Sequence, residues 1–440
     1  MEEGEMVQQQ MPPKRATARR LQLMTALRSS HFLRHNAIFF VGALVMGFLN
    51  YLYYPVLGRM LPPSSFGEVQ TLFSLFAQIN IFLSVLGLLT VNIVANYKDD
   101  RTRDRMILEL EKLAVLISGA LLIITGVAAP LLQRFFHFDS SLPFIALALA
   151  VAVTVPLTFR NAFLRGKRYF GLVSLAGILA AGGDLILSIL FVLFGWSTTG
   201  AIVGLVAAQF LAFLYAAWNA KRYGFSEAFK NVFKKPDIRF VLPELKYAML
   251  VLVGSLTITG LYSIDAVAIK HFFDAHTAGL YAGISTIARI IFFLTASIAQ
   301  VLMPSIKISQ TAKENQQTLL KSFVLLAVIG GGTLVTFTIL PEFIIRTLMG
   351  ATYLPYVDLL PRLSLALFII SLLNLFIMYH MALRRYMIMP ITIAGVVVTC
   401  VLLGLNHDTL QAVINSLLYG STATLLFMGV WLASKKYKQA

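Results

Sequence analysis

One cysteine, Cys400, stands in 440 residues, and it lies inside an apolar run, so the chain has no internal disulfide and no cysteine-based metal site. Charge is scarce as well. Only 13% of residues are charged, against roughly 25% in an ordinary soluble domain. With 58% hydrophobic residues and a mean hydropathy of +0.79, a soluble enzyme is excluded. No GxxxxGK[ST] motif occurs, so ATP hydrolysis by this protein itself is not expected. Metal-ligand spacing is missing too: His380 has no second His or acid at i+3 or i+4, and it reads as a packing residue. No cofactor is expected. Acids are the rarer charge, 20 against 36 Lys and Arg, giving a net charge of +16. That excess falls in short clusters between apolar runs, not along one soluble face, so nucleic acid is not an expected partner.

Long apolar runs are what the chain does have. They recur near 36–58, 69–96, 113–131, 142–160, 170–194, 199–220, 247–270, 280–303, 318–340, 359–381, 388–405 and 410–433, each close to the ~20 residues that cross a bilayer. The expected fold class is an all-α polytopic membrane protein of about 12 transmembrane helices. The first run lacks a small-residue cleavage site and is read as a retained span.

Lys and Arg assign the sides, because positive residues stay in the cytoplasm. Thirty of the 36 fall in the N-terminal segment and in alternate connections, including 98–112, 160–168 and 221–246. The other connections hold Arg59, Arg134, Lys270, Arg346 and Arg362, and Arg289 lies within a span. Both termini are therefore expected in the cytoplasm. The Arg and Leu mixture of 14–34 fits either a helix on the anionic inner leaflet or a disordered basic tail.

A shift of 212 positions aligns Arg34 with Lys246 and Gly67 of SSFGEVQ with Gly279 of TAGLYAG. Six spans per half is an even number, so the halves enter the membrane from the same side and form a parallel repeat. The expected organisation is a basic segment 1–35, an N-lobe 36–220, a linker 221–246, a C-lobe 247–433 and a tail 434–440. Two six-helix lobes with a cavity between them are the architecture of a carrier.

The runs NYLYYPVLGRMLPPSSFGEVQ, YSIDAVAIKHFFDAHTAGLYAGISTIARI, LMPSIKIS and PEFIIRTLMGATYLPYV resemble the polysaccharide flippases of the multidrug/oligosaccharidyl-lipid/polysaccharide exporter superfamily. The resemblance is strongest at Asp265, Gly279, Tyr281 and Pro304. It implies a two-lobed exporter of the bacterial inner membrane that moves a lipid-linked oligosaccharide to the outer leaflet. Membrane lipids, a proton or sodium ion, and polysaccharide-assembly machinery are the partners it implies.

Charges within apolar spans point to the candidate site, since each costs about 2.5 to 3.5 kcal/mol on insertion scales. Counted from the turn between spans seven and eight, Asp265 lies ~8 Å deep and Arg289 ~12 Å deep, so the two could pair. Such a pair could lock one lobe, or couple transport and contact substrate. Asp184 in span five has no cation nearby in sequence. It suits either an ion-coupling group, protonated or sodium-bound, or a carboxylate that only faces water. In span two, Thr71, Ser74, Gln78, Asn92 and Asn96 share one helical face, and Ser285, Arg289 and Gln300 share another on span eight. These stripes either join helices or line a wet cavity. Arg289, Gln78, Asn92 and Gln300 are thus the expected substrate contacts, and Asp184 and Asp265 the expected ion-coupling residues.

Three weaker patterns read as structural. Asp99, Asp100 and Asp104 lie among arginines and form a solvated charged loop rather than a magnesium site. Gly330, Gly331 and Gly332 favour close helix packing. The acids of the outer connections are scattered, which leaves an integral membrane glycan-processing enzyme as a minor alternative. A cation-coupled multidrug antiporter of the same superfamily is the nearer one, kept open by Asp184 and Asp265, while Arg289 points to an anionic cargo.

Overall fold

The computed structural model describes residues 41–42, 44–97, 99–225, 237, 242–306, 311–383, 385 and 388–433. The basic segment 1–35, the tail 434–440 and most of the linker lie outside the described residues. So do the side chains of Asn96 and Gln300.

Every regular element among the described residues is helical. Helix α1 covers 44–60, followed by α2 (Pro63–Asn96), α3 (Asp100–Phe135), α4 (Leu142–Gly166), α5 (Phe170–Phe191) and α6 (Ser197–Arg222). The second half contains α7 (Leu242–Phe272), α8 (Ala275–Ser305), α9 (Ala312–Ile339), the short α10 (Pro341–Leu348), a 3-10 turn (Ala351–Tyr356), α11 (Leu359–Ala382), α12 (Ile388–Leu405) and α13 (Leu410–Ala433). Among the described residues, ten stretches are long and apolar enough to cross a membrane; one of them, Phe170–Arg222, holds both α5 and α6. That fold-back turns at Gly195 (φ 87°) and Ser197 (φ 44°).

Several helices extend beyond the apolar runs that announce them. Helix α3 starts at Asp100 rather than near 113, so the acidic run is its first turn and not a loop. Asp99 caps it by accepting from the Thr102 backbone N–H at 3.0 Å, and Asp104 bonds Arg103 at 2.7 Å. Helix α9 starts at Ala312 rather than 318, behind a capping box made by Thr311 and Glu314. Hydropathy marks only the part in hydrocarbon, whereas polar caps carry the helix on into the interface. The segment after α9, a single outer connection by hydropathy, folds into α10 and the 3-10 turn.

Helices α2 to α6 pack on one another, as do α7 to α13, and α2 also lies against both α7 and α8. Helix α1 joins the first bundle through Met46 against Gly177 of α5, and Gly42 just before it lies against Ser174 of the same helix. A buried ion pair between Arg160 and Glu111 ties α4 to α3, with Arg160 also 5.2 Å from the Phe225 ring. The two starts Pro63 and Ala275 stand 212 positions apart, and so do Asp100 and Ala312. The repeat register therefore holds through the first hairpin of each bundle and into the third helix, then drifts where α10 is inserted.

Candidate functional site

Helices α2 and α8 meet where the repeat places equivalent glycines. A Cβ on Gly67 would stand 2.8 Å from the Gly279 Cα, and one on Gly279 would collide with the Pro63 carbonyl oxygen. No larger side chain fits this crossing. Around it the bundles are stitched together at the end bearing the sparsely basic connections. Tyr353 donates to the Gly58 carbonyl at 3.0 Å, and Arg59 donates to the Thr347 carbonyl. Lys270 of α7 is buried, reaching the His137 carbonyl at 3.4 Å with the Phe138 ring 4.9 Å away. His271 stacks on Phe135 at 3.9 Å.

Below this crossing lies the charged pair. Arg289 Nη2 donates to Asp265 Oδ1 at 2.8 Å, so the two residues of similar depth do pair. Asp265 Oδ2 also accepts from Tyr281 at 2.7 Å and Ser285 at 3.0 Å. Every carboxylate oxygen is thereby satisfied, as a charge buried to 1% exposure requires. The Gln70 amide, oriented so that both its ends are satisfied, accepts from Arg289 Nη1 and donates to the Ala282 carbonyl, each at 2.7 Å. Arg289 Nε is buried and has no hydrogen-bond partner.

Arg289 borders a cavity of about 50 Å³ between α1, α2, α7 and α8, lined also by Tyr51, Tyr54, Gln70, Ser74, Tyr262 and Ser263. It is large enough for a few water molecules. Gln78 lies just beyond and donates to Ser263 at 3.3 Å, joining α2 to α7. Asn92 returns to the same side of α2 eighteen residues after Ser74, about 27 Å along the axis. It is exposed, whereas Thr71 and Ser74 are buried. The stripe is thus buried at Thr71 and Ser74 and exposed at Asn92, and Asn92 does not join Arg289. Gln300 lies eleven residues beyond Arg289 on α8, about 16 Å away.

Asp184 is in a different place, buried between α5 and α6 at 6% exposure. Ser188 Oγ lies 3.1 Å from Asp184 Oδ1 and 2.8 Å from the Ala201 carbonyl. Tyr53 of α1 stands beside Asp184 and Ser188. The repeat makes Tyr53 the counterpart of Asp265 and Ala77 the counterpart of Arg289, so the ion pair exists in one bundle alone.

Gln70, Tyr262 and Ser263 are site residues the sequence reading passed over. At 100° per residue Gln70 falls within about 40° of Ser74, so the stripe itself could have included it. Ser263 and Tyr262 carry no periodic signal in their mostly apolar helix. His380 bonds its own helix through Nδ1 to the Phe376 carbonyl at 2.8 Å, and Gly330 packs against Phe368. Among the described residues, no three His, Cys, Asp or Glu side chains converge as a metal site would require.

A family model described as polysaccharide biosynthesis protein matches residues 32–310. No curated protein sequence matches the chain. Among solved structures, an inward-facing multidrug resistance MATE family transporter of the MOP superfamily is similar, at 15% identity and TM-score 0.68, covering 89% of this chain and 96% of its own. The lipid II flippase MurJ in an inward closed conformation gives TM-score 0.71 at 13% identity, over 90% of this chain and 88% of the other. An outward-facing MATE transporter gives 0.60 at 16% identity, over 91% and 93%. The fold is that of the MOP-superfamily transporters, and the chain belongs to the polysaccharide biosynthesis protein family.

Proposed function

We propose that the chain is an alternating-access transporter that moves a lipid-linked glycan, held by its diphosphate, from the cytoplasmic to the outer leaflet of a bacterial inner membrane. The observation that carries this reading is Arg289, which borders the cavity between the bundles and keeps a buried Nε–H without a partner. A guanidinium presents a fixed fork of donors suited to phosphate oxygens, and an unmet buried donor is costly until an acceptor arrives. The cavity of about 50 Å³ is too small for a sugar diphosphate, so the cargo enters as the bundles part. The exposed Asn92 end of the stripe, on the heavily basic side, is the entry. The lipid tail stays in the bilayer.

Transport direction follows from charge. A headgroup carrying about two negative charges gains ~4.6 kcal/mol in moving outward across 100 mV, inside negative. Asp265 then supplies the counter-charge that lets Arg289 return without its anion, since an unpaired buried cation would oppose the reset. The Asp184 network fits a coupling role. Ser188 has one hydroxyl proton and two acceptors in reach, and giving it to the Ala201 carbonyl closes the network when Asp184 itself carries a proton.

The multidrug antiporter reading rests on the same two carboxylates. Asp265 weighs against it, because both its oxygens are already occupied by Arg289, Tyr281 and Ser285. Arg289→Ala is expected to abolish surface-glycan export while the protein remains inserted, and Arg289→Lys to restore it only partly. Full export by Arg289→Ala would refute the contact. Small cations bound in place of lipid-linked sugar would favour the antiporter.

A further inference from the structure

We infer that the sparsely basic face carries a second phosphate site, built by Arg59 and Arg346 across the seam between the bundles, which takes the phosphate of a lipid in the outer leaflet. The inference rests on the transport reading for which face is outer and for the origin of the lipid. Five basic residues are assigned to this face, and two of them line one cavity of about 400 Å³, together with Pro63, Gly350, Thr352 and Tyr353. That volume lies in the range of small-ligand pockets, ~300 to 1,000 Å³.

The seam is real in the sense that the two arginines come from different bundles. Arg59 ends α1 and Arg346 lies in the last turn of α10. Arg59 rests on the carbonyls of Thr347 and Arg346, acceptors that the end of α10 leaves over. Among the described residues neither guanidinium is within ion-pair distance of a carboxylate; Glu342, one turn before Arg346, is the nearest acid on its helix. Two cations in one pocket repel until an anion bridges them, and a phosphate is a stronger acceptor than the neutral carbonyls that hold Arg59.

The neighbourhood selects a lipid rather than free phosphate. Helix α10 exposes Phe343 to 67%, and Ile339 and Leu340 just before it are exposed at 68% and 49%. A short helix with such an apolar edge beside exposed arginines lies in the membrane interface, where headgroups sit. Cargo emerging on this side meets the pocket at headgroup depth.

The test uses full-length protein in phosphatidylcholine nanodiscs doped with polyprenyl monophosphate or with phosphatidylglycerol, with native mass spectrometry counting the retained lipid. Arg59→Gln with Arg346→Gln is expected to weaken retention at least tenfold, ~1.4 kcal/mol. Arg362→Gln, on the same face but outside the pocket, is expected to change it less than twofold. Retention of polyprenyl monophosphate alone identifies the carrier lipid as the source, and equal retention of phosphatidylglycerol identifies outer-leaflet phospholipid; both support the site. Wild-type retention in the double Gln variant overturns it, as does competition by inorganic phosphate with neither lipid retained. If the double Gln variant aggregates, Arg59→Lys with Arg346→Lys decides: it keeps the charge and loses the fork, so a several-fold loss is expected and no loss overturns the site. Arg289→Ala must retain the lipid at this pocket. Full export by Arg289→Ala with retention intact would sink the transport reading and leave this site standing.

Discussion

Asp265 gains four ties for one residue: Arg289, Tyr281, Ser285 and, through Arg289, the Gln70 amide of the other bundle. Asp265→Asn removes the negative charge but keeps a group of the same shape, leaving Arg289 as an uncompensated buried cation. Turnover is expected to fall more than substrate affinity, read as a drop in flipping rate with cargo binding retained in proteoliposomes. An affinity loss as large as the rate loss would argue that the pair binds cargo and does not aid the return. For Asp184, a pH or sodium gradient is expected to accelerate flipping in the wild type and not in Asp184→Asn; equal ion dependence in both would remove it from the mechanism. Asp274 presents a simpler case. Its carboxylate caps α8 by accepting from the His276 and Thr277 backbone N–H groups at 3.0 Å, and the bonds from Thr277 hold its pKa below the usual carboxylate range. A depressed folded-state pKa stabilises above the unfolded value near 3.9 and is lost as pH falls through the folded one. Asp274→Ala is expected to cost about 1 kcal/mol at neutral pH and nothing once acid has protonated the wild type, measured as detergent thermal unfolding at both pH values.

The crossing of α2 and α8 is where backbone geometry governs the conformational cycle. Gly67 and Gly279 let two long helices touch backbone to backbone, with Pro63 pressed against the second glycine. Gly279→Val would force the helices apart at the end now closed, at a cost of ~1 to 3 kcal/mol from overpacking. The expected result is a lower unfolding temperature, together with increased reagent access to a cysteine placed at Ser74 from the sparsely basic side. Unchanged access would mean that the glycines serve packing alone. Helix existence was legible in hydropathy, whereas the starts of α3 and α9, set by caps such as Thr311 with Glu314, were not, and neither was α10. Its eight residues, PEFIIRTL, are too few to show a spanning period, and they are helical because they have a surface to lie against.

Sidedness is a property of the complete assembly, and the count of Lys and Arg fixes the expectation. In a Cys400→Ser background, cysteines at Arg101 and Arg105 are expected to react with an impermeant maleimide only from the cytoplasm, and cysteines at Glu342 and Asp358 only from outside. The reverse pattern would invert both the transport direction and the assignment of the two arginine sites. Collapsing the membrane potential is expected to slow flipping, because no nucleotide motif offers another source of work.

Composition and run length dictated a helical membrane protein, because lipid forces backbone groups to bond within each span and leaves the helix as the available form, while the parallel repeat came from the match at a shift of 212 positions. The Asp265 and Arg289 pairing was legible too: two buried charges at similar depth on adjacent antiparallel helices have few other partners. Gln70, Ser263 and the unmet Arg289 Nε were not legible. They depend on how α2 packs against α7 and α8, a close approach set by the glycine crossing. Asn92 shows the limit from the opposite direction. It shares a helical face with Ser74, yet Ser74 is buried and Asn92 is exposed, so one face of one helix meets two environments.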